Sequence, residues 1–261
     1  MRRYLRVYRS FAASSFQREL EFKANFFAKI GQNVVWLGFF TLTLLVVYSR
    51  TTSVAGWSRG ESIVLAATVF FMGAISTGLF FSLTEIPQQV RMGTLDFVLT
   101  RPVDPQFWVS LRRLAPEQVG VALVGLAMVF VGLRLDGIAP SPAQWFGWAF
   151  LVVCAVVLFY SLNLSLMTTG VWFVRVDNLF ILSETVQQVA RFPLDIYGAV
   201  LARFLTFVVP LGILGTVPAR QLVHGFEATT VLTGLLWASL ALVLSRLFWR
   251  LALRSYGSAS G

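Results

Sequence analysis

Charged residues, histidine and cysteine are all scarce in this sequence. Of 261 residues only 13% are charged, with 21 Lys and Arg against 12 Asp and Glu, and there is one histidine (His224), one cysteine (Cys154) and two lysines (Lys23 and Lys29). Each shortage excludes something. A lone cysteine builds no disulfide scaffold, and Cys154, set in an apolar run, reads as a small apolar filler. A zinc centre needs clustered ligands, and a serine hydrolase needs a histidine beside its nucleophile. The single His224 stands in a predicted outer loop. Gly73-Ala74-Ile75-Ser76-Thr77-Gly78 is not the Gly-x-Ser-x-Gly elbow, so Ser76 reads as a helix-contact residue. Neither lysine follows a glycine, so the Gly-Lys-Ser/Thr of a phosphate-binding loop is missing. The net charge of +9 raises nucleic acid as a partner, but no soluble module is long enough to carry a basic, aromatic face, and no nucleic acid is expected.

What is abundant is apolar: 57% of the chain is hydrophobic, against about 45–50% in a typical globular protein. A body of 29.0 kDa cannot hide that surplus in one core, and the bilayer is the solvent that accommodates it. Charge-free runs cover residues 30–49, 62–84, 118–133, 137–174, 204–219 and 228–245. A helix needs about 20 apolar residues, roughly 17–25, to cross the hydrocarbon core. The runs therefore predict an all-α membrane protein with six transmembrane helices, at about 30–49, 62–84, 117–135, 145–174, 196–217 and 228–248. The two shortest runs are completed by their flanks, the third with Arg134 reaching to the headgroups and the fifth by starting near Ile196. The turn signal Pro140-Ser141-Pro142 trims the start of the fourth.

Seventeen of the 21 basic residues fall on alternate segments: Arg2 to Lys29, Arg91 to Arg113, Arg175 to Arg203, and Arg246 to Arg254. The other segments hold only Arg50, Arg59, Arg134 and Arg220. Cytoplasmic segments hold the excess of Lys and Arg, which places both termini in the cytoplasm. The first 29 residues are interrupted by charge throughout, so no cleavable signal peptide is expected and the first span serves as its own insertion signal. At 100° per residue, Tyr4, Leu5, Tyr8, Phe11, Ala12 and Phe16 fall on one side and Arg2, Arg3, Arg6 and Arg9 on the other. That is the pattern of a helix lying in the headgroup region, and residues 1–29 are read as such a helix ahead of a transmembrane domain over 30–261.

The segment from Glu85 to Glu117 has more character than a connector requires. Within Gly93–Pro105 a short helix is predicted, opened by Gly93 and stopped by Pro102, with Leu95, Val98 and Leu99 on one face. Such a face, exposed to the cytoplasm, either lies on the membrane or fits a partner's groove.

The Gly-x-Leu-Asp-x-x-Leu-x-Arg-Pro pattern at Gly93–Pro102 resembles the loop between the second and third spans of bacterial ABC type-2 exporter permeases. Further likeness lies in Phe192-Pro193-Leu194-Asp195-Ile196-Tyr197, Arg203, Val209-Pro210-Leu211, Val217-Pro218-Ala219 and the ending Tyr256-Gly257-Ser258-Ala259-Ser260-Gly261, so the resemblance covers essentially the whole chain. It implies a type V ABC exporter-like fold in the bacterial inner membrane. The chain would be a non-catalytic permease subunit that binds no cofactor itself, with ATP and Mg held by two separate ABC ATPase subunits. A second permease chain, identical or homologous, would pair with it in the bilayer. By the same likeness Gly93, Leu95, Asp96, Val98, Leu99, Arg101 and Pro102 form a coupling helix, the amino-terminal helix with its Arg2, Arg3, Tyr4, Arg6, Tyr8 and Arg9 lies beside it, and Pro210, Gly212, Gly215 and Pro218 break an outer re-entrant segment around Val209–Gly225. The cargo would be amphipathic, drug-, lipid- or glycan-like.

Polar residues within spans are the candidates for a transport path: Asn33, Ser161, Asn163, Ser165 and Thr168, with Arg203 the charged one. Hydroxyls and small residues also glue helices together, as Ala74-x-x-x-Gly78 does in this reading, and Arg203 is equally able to snorkel. Two other function classes stay open at this level. An ATP-independent channel or carrier would need no partner, and a membrane-embedded enzyme would need a paired acid and base that no span supplies. Gly93–Pro105 does not resemble the Glu-Ala-Ala loop of the commonest importer permeases.

Overall fold

A computed structural model describes residues 2–21, 23–173, 179–207 and 210–257, without the side chains of Leu20, Phe180, Ala199, Arg203 and Phe207. The expected end of the fourth span at Val174, the residue Val209 and the Ser258–Gly261 ending lie outside the described residues. The described residues are helical apart from their connections, and contain no strand beyond one bridge between Val54 and Trp57. The helices are α1 (Arg2–Glu21), α2 (Lys23–Tyr48), α3 (Arg59–Phe80), α4 (Ile86–Arg91), α5 (Asp96–Leu99), α6 (Pro105–Leu111), α7 (Gln118–Leu135), α8 (Pro142–Thr168), α9 (Leu179–Ala190), α10 (Ala199–Phe207), α11 (Thr216–Val223) and α12 (Ala228–Ser255). Five helical stretches among them, Lys23–Tyr48, Arg59–Arg91, Gln118–Leu135, Pro142–Val171 and Ala228–Ser255, are long and apolar enough to cross a membrane.

The ends of these helices follow local chemistry. Ser58 and Glu61 form a reciprocal capping box at the start of α3, the Ser58 N–H donating to Glu61 Oε2 at 2.8 Å and the Glu61 N–H to Ser58 Oγ at 3.2 Å. Ser141 and Gln144 repeat the device on α8, with Pro142 at the first helical position where its missing N–H costs nothing. Helices α3 and α7 pack closely because glycines meet between them. A Cβ on Gly132 would stand 2.8 Å from the Gly60 carbonyl oxygen, and one on Gly60 only 2.5 Å from that of Gly132.

Helix α8 is central, packed on α3, α11 and α12. Its Trp148 indole donates to Thr68 Oγ1 at 3.1 Å, so the buried N–H is satisfied. One stripe of α12, Gly234, Ala238, Ser245, Trp249 and Ala252, is buried. Helix α2 buries only Leu37 and Leu44, leaving residues such as Val35, Phe39 and Val46 exposed. An apolar helix that shows its hydrocarbon outward needs lipid as its solvent.

The fifth span differs from the sequence expectation. Residues 196–217 do not form one helix: Gly198 takes φ +75°, Pro210 starts a separate short turn at Leu211–Leu214, and α11 follows. The chain crosses the bundle earlier instead. Leu179 packs with Leu83, Ile86 and Trp249 at the end carrying residues 81–117, whereas Asp195 accepts from the Trp57 indole (3.0 Å) and from Arg220 (2.7 Å) at the opposite end. The twelve residues of α9 rise about 18 Å, and a 3₁₀ turn at Leu194–Tyr197 follows them. The Leu194 N–H, at the start of that turn, is satisfied by Thr216 Oγ1 at 3.3 Å.

Candidate functional site

The segment between α3 and α7 folds back on its own chain. Gly93 at φ +66° turns α4 towards α5, a conformation that favours glycine. The expectation of an exposed apolar face on Leu95, Val98 and Leu99 is not met. Leu95 is 0% and Val98 4% exposed, packed with Ile86, Val109, Leu164, Met167 and Trp249, and Leu99 is half-buried. A four-residue helix has too little surface to stay out in water on its own, and its apolar side is taken by the bundle. The outward edge is made by Met92 (67% exposed), Phe97 (68%), Arg101 and Pro102. Arg101 lays its guanidinium over Trp108, 4.0 Å from the ring centre, while Asp96 opens α5 and is half-buried.

Three elements converge on Asp104. Its Oδ1 accepts from the Phe107 N–H at 3.1 Å and caps α6. Arg246 of α12 forks onto it, 3.0 Å to Oδ1 and in close contact with Oδ2, and also reaches Gln106. The Asp104 N–H donates to the Tyr4 hydroxyl of α1 at 3.3 Å. The hydrogen-bonded Arg246 guanidinium holds the Asp104 carboxyl below the usual carboxylate range. Along α1, Tyr4 meets Phe107 edge-on at 4.9 Å, Phe11 meets Trp108 at 4.9 Å, and Ser15 Oγ accepts from the Leu114 N–H at 3.1 Å. Tyr8 is half-buried, Arg2, Arg3, Arg6 and Arg9 are exposed, and Leu5 and Phe16 remain outside the contact. Lys29 ties α1 to α7 through Glu19 (3.0 Å) and Glu117 (3.1 Å).

The span residues singled out by sequence do not share one site. Asn33 donates to its own helix at the Lys29 carbonyl (2.9 Å), and Thr168, fully buried, to Leu164 (2.6 Å). Ser161 and Ser165 line a cleft with Pro210 of the outer-segment candidates and Ser245 of α12. Arg203 lies on α10, and its side chain is outside the description. Gly212 faces Leu194 and Thr206, and Gly215 comes so close to Ala190 that a Cβ would stand 2.6 Å from its carbonyl oxygen. Pro218 does not interrupt a helix as expected; it sits in the first turn of α11, where no intrahelical N–H is needed.

Asn163 belongs elsewhere, in a cavity between α3, α8 and α9 with Ser76, Thr77, Ser183, Glu184 and Gln187. Ser183 donates to Asn163 Oδ1 at 2.6 Å. Sequence reasoning missed the α9 residues. Ser183, Gln187 and Arg191 recur every four residues and face inward with Glu184 beside Ser183, while Ile181 and Leu182 face outward. That polar stripe inside an apolar stretch is the signal in the sequence, and its charges interrupt the apolar run.

A bundle of apolar helices with a polar interior and a structured connecting segment at one end defines a multi-pass membrane protein. The family described as ABC-2 family transporter protein matches residues 34–260. The chain belongs to that family and is an ABC transporter permease. No curated protein matches it.

Proposed function

We propose that the chain is the membrane half of an ATP-driven exporter, worked by a separate ATPase that docks on the segment between α3 and α7. The observation that carries this reading is the exposed Met92–Phe97–Arg101 edge, set on a base anchored to α1, α8 and α12. A push on an edge so anchored moves transmembrane helices, which is what a rigid-body switch between inward and outward access requires. In this account α5 is the coupling helix and α1 the interface helix beside it, and two permease chains pair above two ATPases that bind ATP and Mg. Six crossings, α2, α3, α7, α8, the stretch from α9 to Tyr197, and α12, keep both termini in the cytoplasm, with α10 and α11 forming the re-entrant pair. The path runs by the Asn163–Glu184 cavity, and the cargo is amphipathic, drug-, lipid- or glycan-like.

Co-expression with the ATPase encoded beside it tests the proposal. The wild type yields a detergent-stable complex with permease-dependent ATPase activity, and Phe97→Asp loses the complex while the chain itself stays folded. A wild type that forms no complex, or Phe97→Asp that assembles and couples normally, refutes the docking edge.

A further inference from the structure

A groove lies between α1, α3 and α7, at the end of the bundle that carries residues 81–117. It holds about 350 Å³, within the range of about 300–1,000 Å³ typical of small-molecule sites. Apart from Tyr8 and Gln118, every side chain that lines it is apolar. Small residues leave the room: Ala74 and Gly78 of α3, Ala115 just before α7, and Ala122 within it. Along α3 the groove runs from Phe71 to Leu79, a rise of about 12 Å, which is most of one leaflet of a bilayer core about 30 Å thick. The chain does not cover its rim, where Phe16 of α1 is 50% exposed and Val119 and Leu123 of α7 are 60% and 63% exposed.

The charge around its mouth has one sign. Glu19 and Glu117 share Lys29, at 3.0 and 3.1 Å, while Glu85 is held by both Arg112 and Arg113. Two carboxylates on one lysine and one carboxylate on two arginines cancel, so the first half of α1 decides the sign. Arg2, Arg3, Arg6 and Arg9 are exposed there, and among the described residues none of them makes an ion pair. At about 100° per residue, Arg9 falls within about 40° of both Leu5 and Phe16, and Arg2 shares its side of the helix. A guanidinium flanking an apolar face in this way can grip a phosphate with two donors.

Because α3 and α7 belong to membrane-spanning stretches, the groove opens sideways into hydrocarbon. The molecule that meets both the apolar slot and the arginines is a lipid with a negative headgroup. We infer that the groove is a binding site for an anionic phospholipid of that leaflet, with one acyl chain lying along α3 and α7 beside α1 and the phosphate-bearing headgroup on Arg9 and Arg2. Bound there, the lipid adds to the Lys29 contacts that tie α1 to α7. The site concerns this chain and its bilayer, and depends neither on an ATPase nor on export.

Native mass spectrometry of the purified full chain in detergent, titrated separately with dioleoylphosphatidylglycerol and dioleoylphosphatidylcholine, tests it. The inference predicts one saturable phosphatidylglycerol per chain, bound more tightly than phosphatidylcholine. Arg2→Gln with Arg9→Gln weakens it at least about tenfold, whereas Arg250→Gln with Arg254→Gln, the same loss of charge from exposed positions on α12, changes it less than about threefold. Ala122→Phe fills the slot and abolishes the tight binding. The inference is overturned if phosphatidylcholine binds as tightly, if the two arginine pairs have equal effects, or if Ala122→Phe keeps the lipid. The same spectra report the oligomeric state: should Ala122→Phe split a dimer and leave lipid binding as it was, a second copy of the chain covers the groove and the lipid site is refuted. Should Ala122→Phe fail to elute as a monodisperse species, the headgroup preference of the wild type and the contrast between the two arginine pairs decide.

Discussion

Asp104 shows how much a single side chain can join: it caps α6, receives the Arg246 fork from α12 and sits against Tyr4 of α1. Its carboxyl is held below its ordinary value, so the folded state binds a proton there less readily than the unfolded chain. The stability this supplies is complete above about pH 4 and is lost as the pH falls through the lowered folded value. Asp104→Asn is therefore expected to lower the thermal midpoint of the detergent-purified chain at pH 6, with the gap to wild type closing on acidification below pH 4. Leu95 and Phe97 give a second contrast two residues apart. Leu95→Ala opens a cavity in a packed cluster and costs about 2–4 kcal/mol, whereas Phe97→Ala, on the exposed edge, stays within about 0.5 kcal/mol. Hydrogen exchange of residues 86–111 reads both. The sequence pattern places Leu95, Val98 and Leu99 on one face; it does not say that the bundle beneath claims that face.

At the scale of elements, α3 and α7 depend on the glycine contact between Gly60 and Gly132. Gly132→Val has nowhere to put its branched side chain and is expected to destabilise the pair by about 1–3 kcal/mol, read as a lower midpoint of chemical unfolding in detergent. Helix α9 reverses the amphipathic arrangement of a water-exposed helix. In a Cys154→Ala background, cysteines at 181 and 182 should react with a membrane-permeant thiol reagent, and those at the buried positions 183 and 187 far more slowly; the opposite pattern would turn α9 around. Continuous apolar runs with little charge made α2, α3, α7, α8 and α12 legible from sequence, because length and hydropathy alone decide them. Helix α9 was not legible. Glu184 and Arg191 break the run, and a twelve-residue helix followed by a 3₁₀ turn has no length signal, since that turn is held by neighbours such as Thr216 that lie far along the chain.

For the whole molecule, the scarcity of charge is what makes its placement informative. The exposed arginines of α1, the Asp104–Arg246 pair and the Glu85 carboxylate held by Arg112 and Arg113 gather at one end, around the segment proposed to meet the ATPase. The apolar remainder forms a bundle whose interior keeps a small polar cavity beside α9. The coupled permease account stands on which residues of that end touch the engine. Cysteine cross-linking in the co-expressed complex, on the Cys154→Ala chain, measures this directly. The account predicts that cysteines at 92 and 97 cross-link to the ATPase subunit and that the cross-linked complex loses permease-stimulated ATP hydrolysis, while a cysteine at 98 does neither. Cross-linking through 98 in place of 97, or through none of the three in an assembled complex, would contradict it.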